Sequence, residues 1–259
     1  MASRRVFLGV SAIVFAASAA MTIAWCASMS SMGEMEMPGG WTMSHLWMLM
    51  PGQSWLGSTA SFVGMWVVMM VAMMLPSLTP MLWRYRETIG TTGGKHVGRL
   101  TALVGVGYFA VWAVLGTIVF PLGVALAGLA MQEPALAHAV PIVVGAVVLS
   151  GGVMQRTGWK ARHLAFCREA PRRGSEPRPD AGGAWRHGLR LGLHCSHSCA
   201  GLTAVVLVMG VMDLRVMTLV AAAISAEHLA PGGMGLVRAI GTAVVGAGVF
   251  LIARASGLG

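Results

Sequence analysis

The sequence predicts an all-α, polytopic transmembrane bundle of about seven spans with its N-terminus in the cytoplasm. Three observations carry this reading. Of the 259 residues, 56% are hydrophobic and only 10% charged, with mean hydropathy +0.73, whereas a soluble domain carries roughly 25% charged residues on its water-facing surface. Charge-free intervals recur at lengths that suit the ~20 apolar residues of a spanning helix. Fifteen of the 18 Lys and Arg residues fall in three segments that alternation puts on one side, which the positive-inside rule makes the cytoplasmic side. A cytosolic enzyme is thereby excluded, and four cysteines in a chain of this length exclude a secreted disulfide scaffold. The formal charge of +9 reports topology, so no nucleic-acid partner is expected. The expected surroundings are the lipid bilayer of the cell (inner) membrane, crossed several times.

The first span is the uncharged run from Val6 to Ala27, which follows Arg4 and Arg5. It is long for a signal-peptide core, so a retained helix is preferred over a cleaved leader. The second runs from about Gly57 to Trp83, the third over about 100 to 121, the fourth over about 136 to 155, and the fifth lies between Arg190 and Asp213. Two weaker spans follow, about Val216 to Ala230 and Gly235 to Ala253, the latter with Arg238 one turn inside, where it can snorkel to the interface. The whole chain reads as one integral membrane domain. Residues 28–56 form a Met-rich extracytoplasmic loop, and residues 157–187, with their arginines, prolines and glycines, form a basic and flexible cytoplasmic linker.

The most unusual chemistry is the run His194-Cys195-Ser196-His197-Ser198-Cys199. The cysteines are four apart and the histidines three apart, so on a helix each pair stacks within one turn. Thiolate with imidazole is the donor set that suits Cu(I) or zinc, and ionisable groups inside a span mark a functional site by default. The four potential donors are His194, Cys195, His197 and Cys199; one metal takes both sulfurs and one imidazole from this helix and needs a further ligand from a neighbour. A sharp turn near Asp213 supplies one: Cys199 lies 14 residues before it and Glu227 14 residues after it, so Glu227 and His228 are expected at the depth of Cys199.

Methionines add a second pattern. In the second span Met65, Met69 and Met73 make one stripe at helical spacing, with Met70 and Met74 beside it, ahead of Pro76 and Pro80. Thioethers are soft donors that prefer Cu(I), so Met69, Met73 and Met74 join the expected metal site; adaptable apolar packing is the alternative. In the outer loop, Met29, Met32, Met35, Met37, Met43 and His45 are expected to capture metal. The competing reading there is a loop resting on the membrane through its methionines and Trp41, Trp47 and Trp55.

Trp66 through Pro76, Cys195 through Gly201, Met209 through Asp213 and Ala226-Glu227 together resemble the bacterial family of predicted metal-binding integral membrane proteins, a family of unknown function. The resemblance runs from Ala24-Trp25 to the last helix. That family usually has a second cysteine directly before its C-x-x-x-C element, where this chain has His194, and a methionine where this chain has Thr203. The resemblance implies metal binding and implies no reaction.

The expected function is therefore binding of a transition metal, copper as Cu(I) first and zinc second, in transport or delivery, with a metallochaperone or an oxidase assembly partner as the exchange partner. An enzyme is not the first expectation. The alternatives are a membrane thiol-disulfide oxidoreductase using Cys195 and Cys199, and a haem-binding electron carrier using His194 or His197 with His228. No nucleotide-binding motif is present in the sequence.

Overall fold

A computed structural model describes residues 2–30, 33, 35–38, 40–47, 52, 54–90, 96–168, 180–230 and 234–257. The elements in order are α1 (Ala2–Ser30), β1 (Met35–Met37), β2 (Trp41–Met43), a 3-10 turn (His45–Trp47), α2 (Trp55–Gly90), α3 (Val97–Gln132), α4 (Pro134–Gln155), α5 (Gly158–Arg168), α6 (Ala181–Met209), α7 (Leu214–Leu229) and α8 (Met234–Ala255). The fold is an all-α bundle, and six of its helices, α1, α2, α3, α4, α6 and α8, are long and apolar enough to cross a membrane.

Close approaches between small residues set the helix directions. Gly188 and Gly192 of α6 lie against the backbone of Val104 and Tyr108 of α3, so these two helices run parallel. Gly145 and Gly152 of α4 meet Ile252 and Val245 of α8, so that pair runs antiparallel. A single residue, Glu133, joins α3 to α4 and reverses the chain. It follows that α6 and α8 point the same way, and that α7 between them must carry the chain back. With 16 residues, α7 is about 24 Å long at the α-helical rise, short of the ~30 Å hydrocarbon core. The weak sixth span is thus a real helix, too short to cross without help.

That help is α5. The sequence reading takes 157–187 for a flexible linker, but residues 158–168 are helical. Lys160, Leu164 and Cys167 recur at helical spacing and all three are buried, which gives the segment an inward face. Helix α6 begins at Ala181, with the Asp180 side chain accepting from the Gly183 amide, and so extends into the remainder of the supposed linker. Its other end stops at Gly210, whose φ of +127° disfavours any side chain. Asp213 caps α7 by accepting from the amides of Arg215 and Val216. These two devices make the expected hairpin.

The outer segment also departs from expectation. β1 and β2 pair antiparallel with Met35 opposite Met43 and Met37 opposite Trp41, and Trp41 Nε1 donates to the Ala137 carbonyl at 2.9 Å. Met37 and Met43 are buried against Ala127, flanked by Trp41 and Trp47. The hairpin thus buries two of the methionines expected to capture metal. Met35 is exposed and Met29 ends α1 half-buried. Met32 and the side chain of His45 lie outside the described residues.

Candidate metal centre

Cys195 and Cys199 lie one turn apart on the inward face of α6, and their sulfurs are 3.8 Å apart. Helix α7, returning from the Asp213 turn, brings His228 to the same depth. One donor atom from each of Cys195, Cys199 and His228 lies within 4.8 Å of the other two, and all three residues are buried. No disulfide joins the two sulfurs. His228 Nδ1 lies 2.8 Å from the Ile224 carbonyl, which only accepts, so Nδ1 carries the proton and Nε2 is the free lone pair. This Nε2 is buried with no hydrogen-bond partner among the described residues. An orphaned buried acceptor costs about 1–3 kcal/mol, a penalty that a bound cation removes. Three donors bonded to one ion at about 2.0–2.3 Å stand roughly 3.3–4 Å apart, so modest closure of this group would suffice. Two sulfurs and an imidazole fit a soft monovalent ion such as Cu(I).

Tyr108 completes the surroundings. Its O–H donates to Cys195 Sγ at 2.9 Å, and the close contact of Gly192 with the Tyr108 backbone allows α3 near enough to make that bond. Ser198 Oγ donates to the Cys195 carbonyl at 2.9 Å and lies 3.7 Å from Cys199 Sγ. Met69, Met70, Met73 and Met74 are all buried in the same core as Cys195, Cys199 and Ile224. The stripe on α2 therefore faces inward, toward the helices that carry the donors.

Glu227, expected as a ligand, is engaged elsewhere. It is fully buried and its Oε2 pairs with Lys160 Nζ at 2.6 Å, while Gln155 Nε2 donates to Oε1 at 2.9 Å. Lys160 also donates to Gln155, and Arg168 donates to the Glu227 backbone carbonyl. Arg168 is in turn tied through its own carbonyl to Arg84 of α2. With both carboxylate oxygens occupied, Glu227 anchors the short end of α7 to α4 and α5, one residue from His228. The neighbouring Cys167 on α5 is buried; burial, reinforced by Cys199, pushes its thiol pKa up and keeps it protonated.

His194 and His197 do not join the cysteines. At about 100° per residue, each points 100° or more away from Cys195 and Cys199 around the helix. There they meet His163 of α5: the Nδ1 atoms of His163 and His194 are 2.9 Å apart, and the rings of His163 and His197 stack at 5.0 Å. Burial, with the charges of His197 and Arg162 beside it, lowers the pKa of His163 and favours its neutral form. Sequence reasoning missed His163, Lys160, Gln155 and Tyr108. Of these, only Tyr108 carried a local signal, as a hydroxyl inside an otherwise apolar span.

The fold and the site together define a multi-pass helical membrane protein with a buried Cys/Cys/His centre of metal-ligand type. The profile of the copper chaperone family PpoB2 matches residues 63–251, well over half of the chain, and the chain belongs to this family. The match takes in all three donors and leaves out α1 and the outer methionine hairpin. No curated protein and no solved structure matches the chain.

Proposed function

We propose that this protein binds Cu(I) at Cys195, Cys199 and His228 within the cell (inner) membrane and delivers it to an acceptor protein, a metallochaperone or an oxidase under assembly. The observation that carries the reading is a buried His228, its Nε2 without a hydrogen-bond partner among the described residues, grouped with two buried thiols whose donor atoms lie within 4.8 Å of one of its own. A series of soft donors supports a path: Met29 of α1 and Met35 of β1 at the outer end collect the ion, and Met69, Met73 and Met74 of α2 pass it inward by exchange between thioethers. Low-coordinate sulfur sites exchange ligands readily, which suits delivery better than permanent storage. Tyr108 orients Cys195, and the Lys160–Glu227 pair holds the end of α7 that carries His228.

The test is a competition titration of the detergent-purified chain, without oxygen, against a chromophoric Cu(I) chelator. The wild type should hold one Cu(I) against the chelator. Cys195→Ser/Cys199→Ser should weaken that binding at least a hundredfold and His228→Ala at least tenfold, the loss of a direct ligand matching or exceeding the 10–100-fold typical of outer-shell partners. Unchanged affinity in the double cysteine variant would remove the site.

A further inference from the structure

The face of α6 opposite Cys195 and Cys199 carries a second group of metal-binding side chains that copper binding at the thiols does not use. We propose that His163, His194 and His197 form a separate site for a divalent first-row metal ion, bound through imidazole nitrogen alone where α5 packs on α6. The proposal goes beyond the Cu(I) reading and does not depend on it.

The geometry begins with the 2.9 Å separation of His163 Nδ1 and His194 Nδ1. Two ring nitrogens this close share one proton, with the lone pair of one aimed at the other. A cation bonded to both at about 2.0–2.1 Å in tetrahedral geometry holds its donors about 3.3 Å apart, so replacing the proton by a metal widens the pair by a few tenths of an ångström and tilts both rings toward the ion. His197 supplies the third nitrogen. Its Nδ1 lies 2.6 Å from the Leu193 carbonyl and must donate to it, leaving Nε2 as a free lone pair. Its ring stacks on His163 at 5.0 Å with an interplanar angle of 14°, and the side chain is exposed, so rotation toward the other two opens no cavity. The trio is wider than the Cys195/Cys199/His228 group, and that rotation is what closes it.

Aromatic rings wall the site. Trp159 presents an edge to His163 at 4.8 Å and to His197 at 5.5 Å, while Phe166 stacks on His194 at 3.7 Å. Position supplies access: His194 lies one turn beyond Arg190, at the basic boundary of α6, and both His163 and His194 are half-buried. An ion therefore reaches these rings from outside the bundle. Imidazoles without thiolate select a borderline divalent ion such as Cu(II), Ni(II), Co(II) or Zn(II) over Cu(I). Such an ion would bridge α5 to α6 and pin the helix that holds Glu227 beside the copper centre.

The experiment uses the full, tag-free chain carrying Cys195→Ser/Cys199→Ser, so that the thiol centre is absent, and titrates it with Co(II) in detergent. One equivalent should bind, with visible ligand-field bands and no near-ultraviolet thiolate charge-transfer band. His163→Ala and His194→Ala, each added to that background, should weaken binding at least tenfold, whereas His194→Ala alone should leave the Cu(I) affinity of the cysteine-containing chain unchanged. Electron paramagnetic resonance of the same thiol-free chain with one Cu(II) needs no histidine variant and should show hyperfine coupling to at least two nitrogens. Absence of Co(II) binding, affinity indifferent to His194, or no nitrogen coupling would each overturn the proposal. Failure of the Cu(I) titration above would leave it standing.

Discussion

Replacing Lys160 by methionine removes the cation from a pair in which neither partner reaches solvent: the side chains of Lys160 and Glu227 are 3% and 0% exposed and 2.6 Å apart. The Glu227 carboxylate would keep only the amide of Gln155 and would have to stay charged without a counter-ion or take up a proton. Breaking one side of a buried pair typically costs about 3–5 kcal/mol, which lowers the folding equilibrium constant by about two to nearly four orders of magnitude. Glu227→Gln in the same chain removes the stranded charge and retains a group that Gln155 can bond, so Lys160→Met/Glu227→Gln should recover most of the loss. Equilibrium unfolding in mixed micelles with rising dodecyl sulfate measures the three variants. Alkylation of Cys167 and Cys199 reports locally, because the same pair closes α5 beneath them. A cost under about 1 kcal/mol for Lys160→Met, or a double variant as unstable as the two single losses added, would refute the role of the pair.

Three further substitutions follow from individual contacts. A methyl group at Gly188 would press into the Val104 carbonyl, so Gly188→Ala should cost about 1–3 kcal/mol and lower Cu(I) affinity by moving Tyr108 away from Cys195, read by unfolding and by chelator competition. Tyr108→Phe should leave the fold intact and weaken Cu(I) binding by no more than about tenfold, the worth of one hydrogen bond, with stoichiometry unchanged in the same titration. Asp213→Ala removes the acceptor for two α7 amides and should cost about 0.5–2 kcal/mol in the micellar unfolding assay.

The long helices were legible because the hydrocarbon core imposes a length that charge-free intervals display directly. The place of His228 was legible too, since a capped turn at Asp213 fixes how far each arm of the hairpin reaches. Other parts depend on contacts between residues distant in sequence. Lys160 meets Glu227 across 67 residues and Tyr108 meets Cys195 across 87, and no local pattern encodes either pairing. Helix α5 was hidden in a basic segment whose prolines and remaining glycines lie after it, and its inward face is only three residues long. The histidines were assigned to the cysteine site by nearness in sequence, although helical rotation sends them to another face. The burial of Met37 and Met43 was not legible, because it comes from a short hairpin that folds them onto α3.

The most direct measurement is X-ray absorption at the copper edge of the full chain loaded with one Cu(I) per protein. Coordination by Cys195, Cys199 and His228 predicts an edge of monovalent copper and a first shell of two sulfur atoms with one nitrogen, the nitrogen disappearing in His228→Ala. A shell of thioether or oxygen scatterers that is the same in wild type, His228→Ala and Cys195→Ser/Cys199→Ser would contradict it.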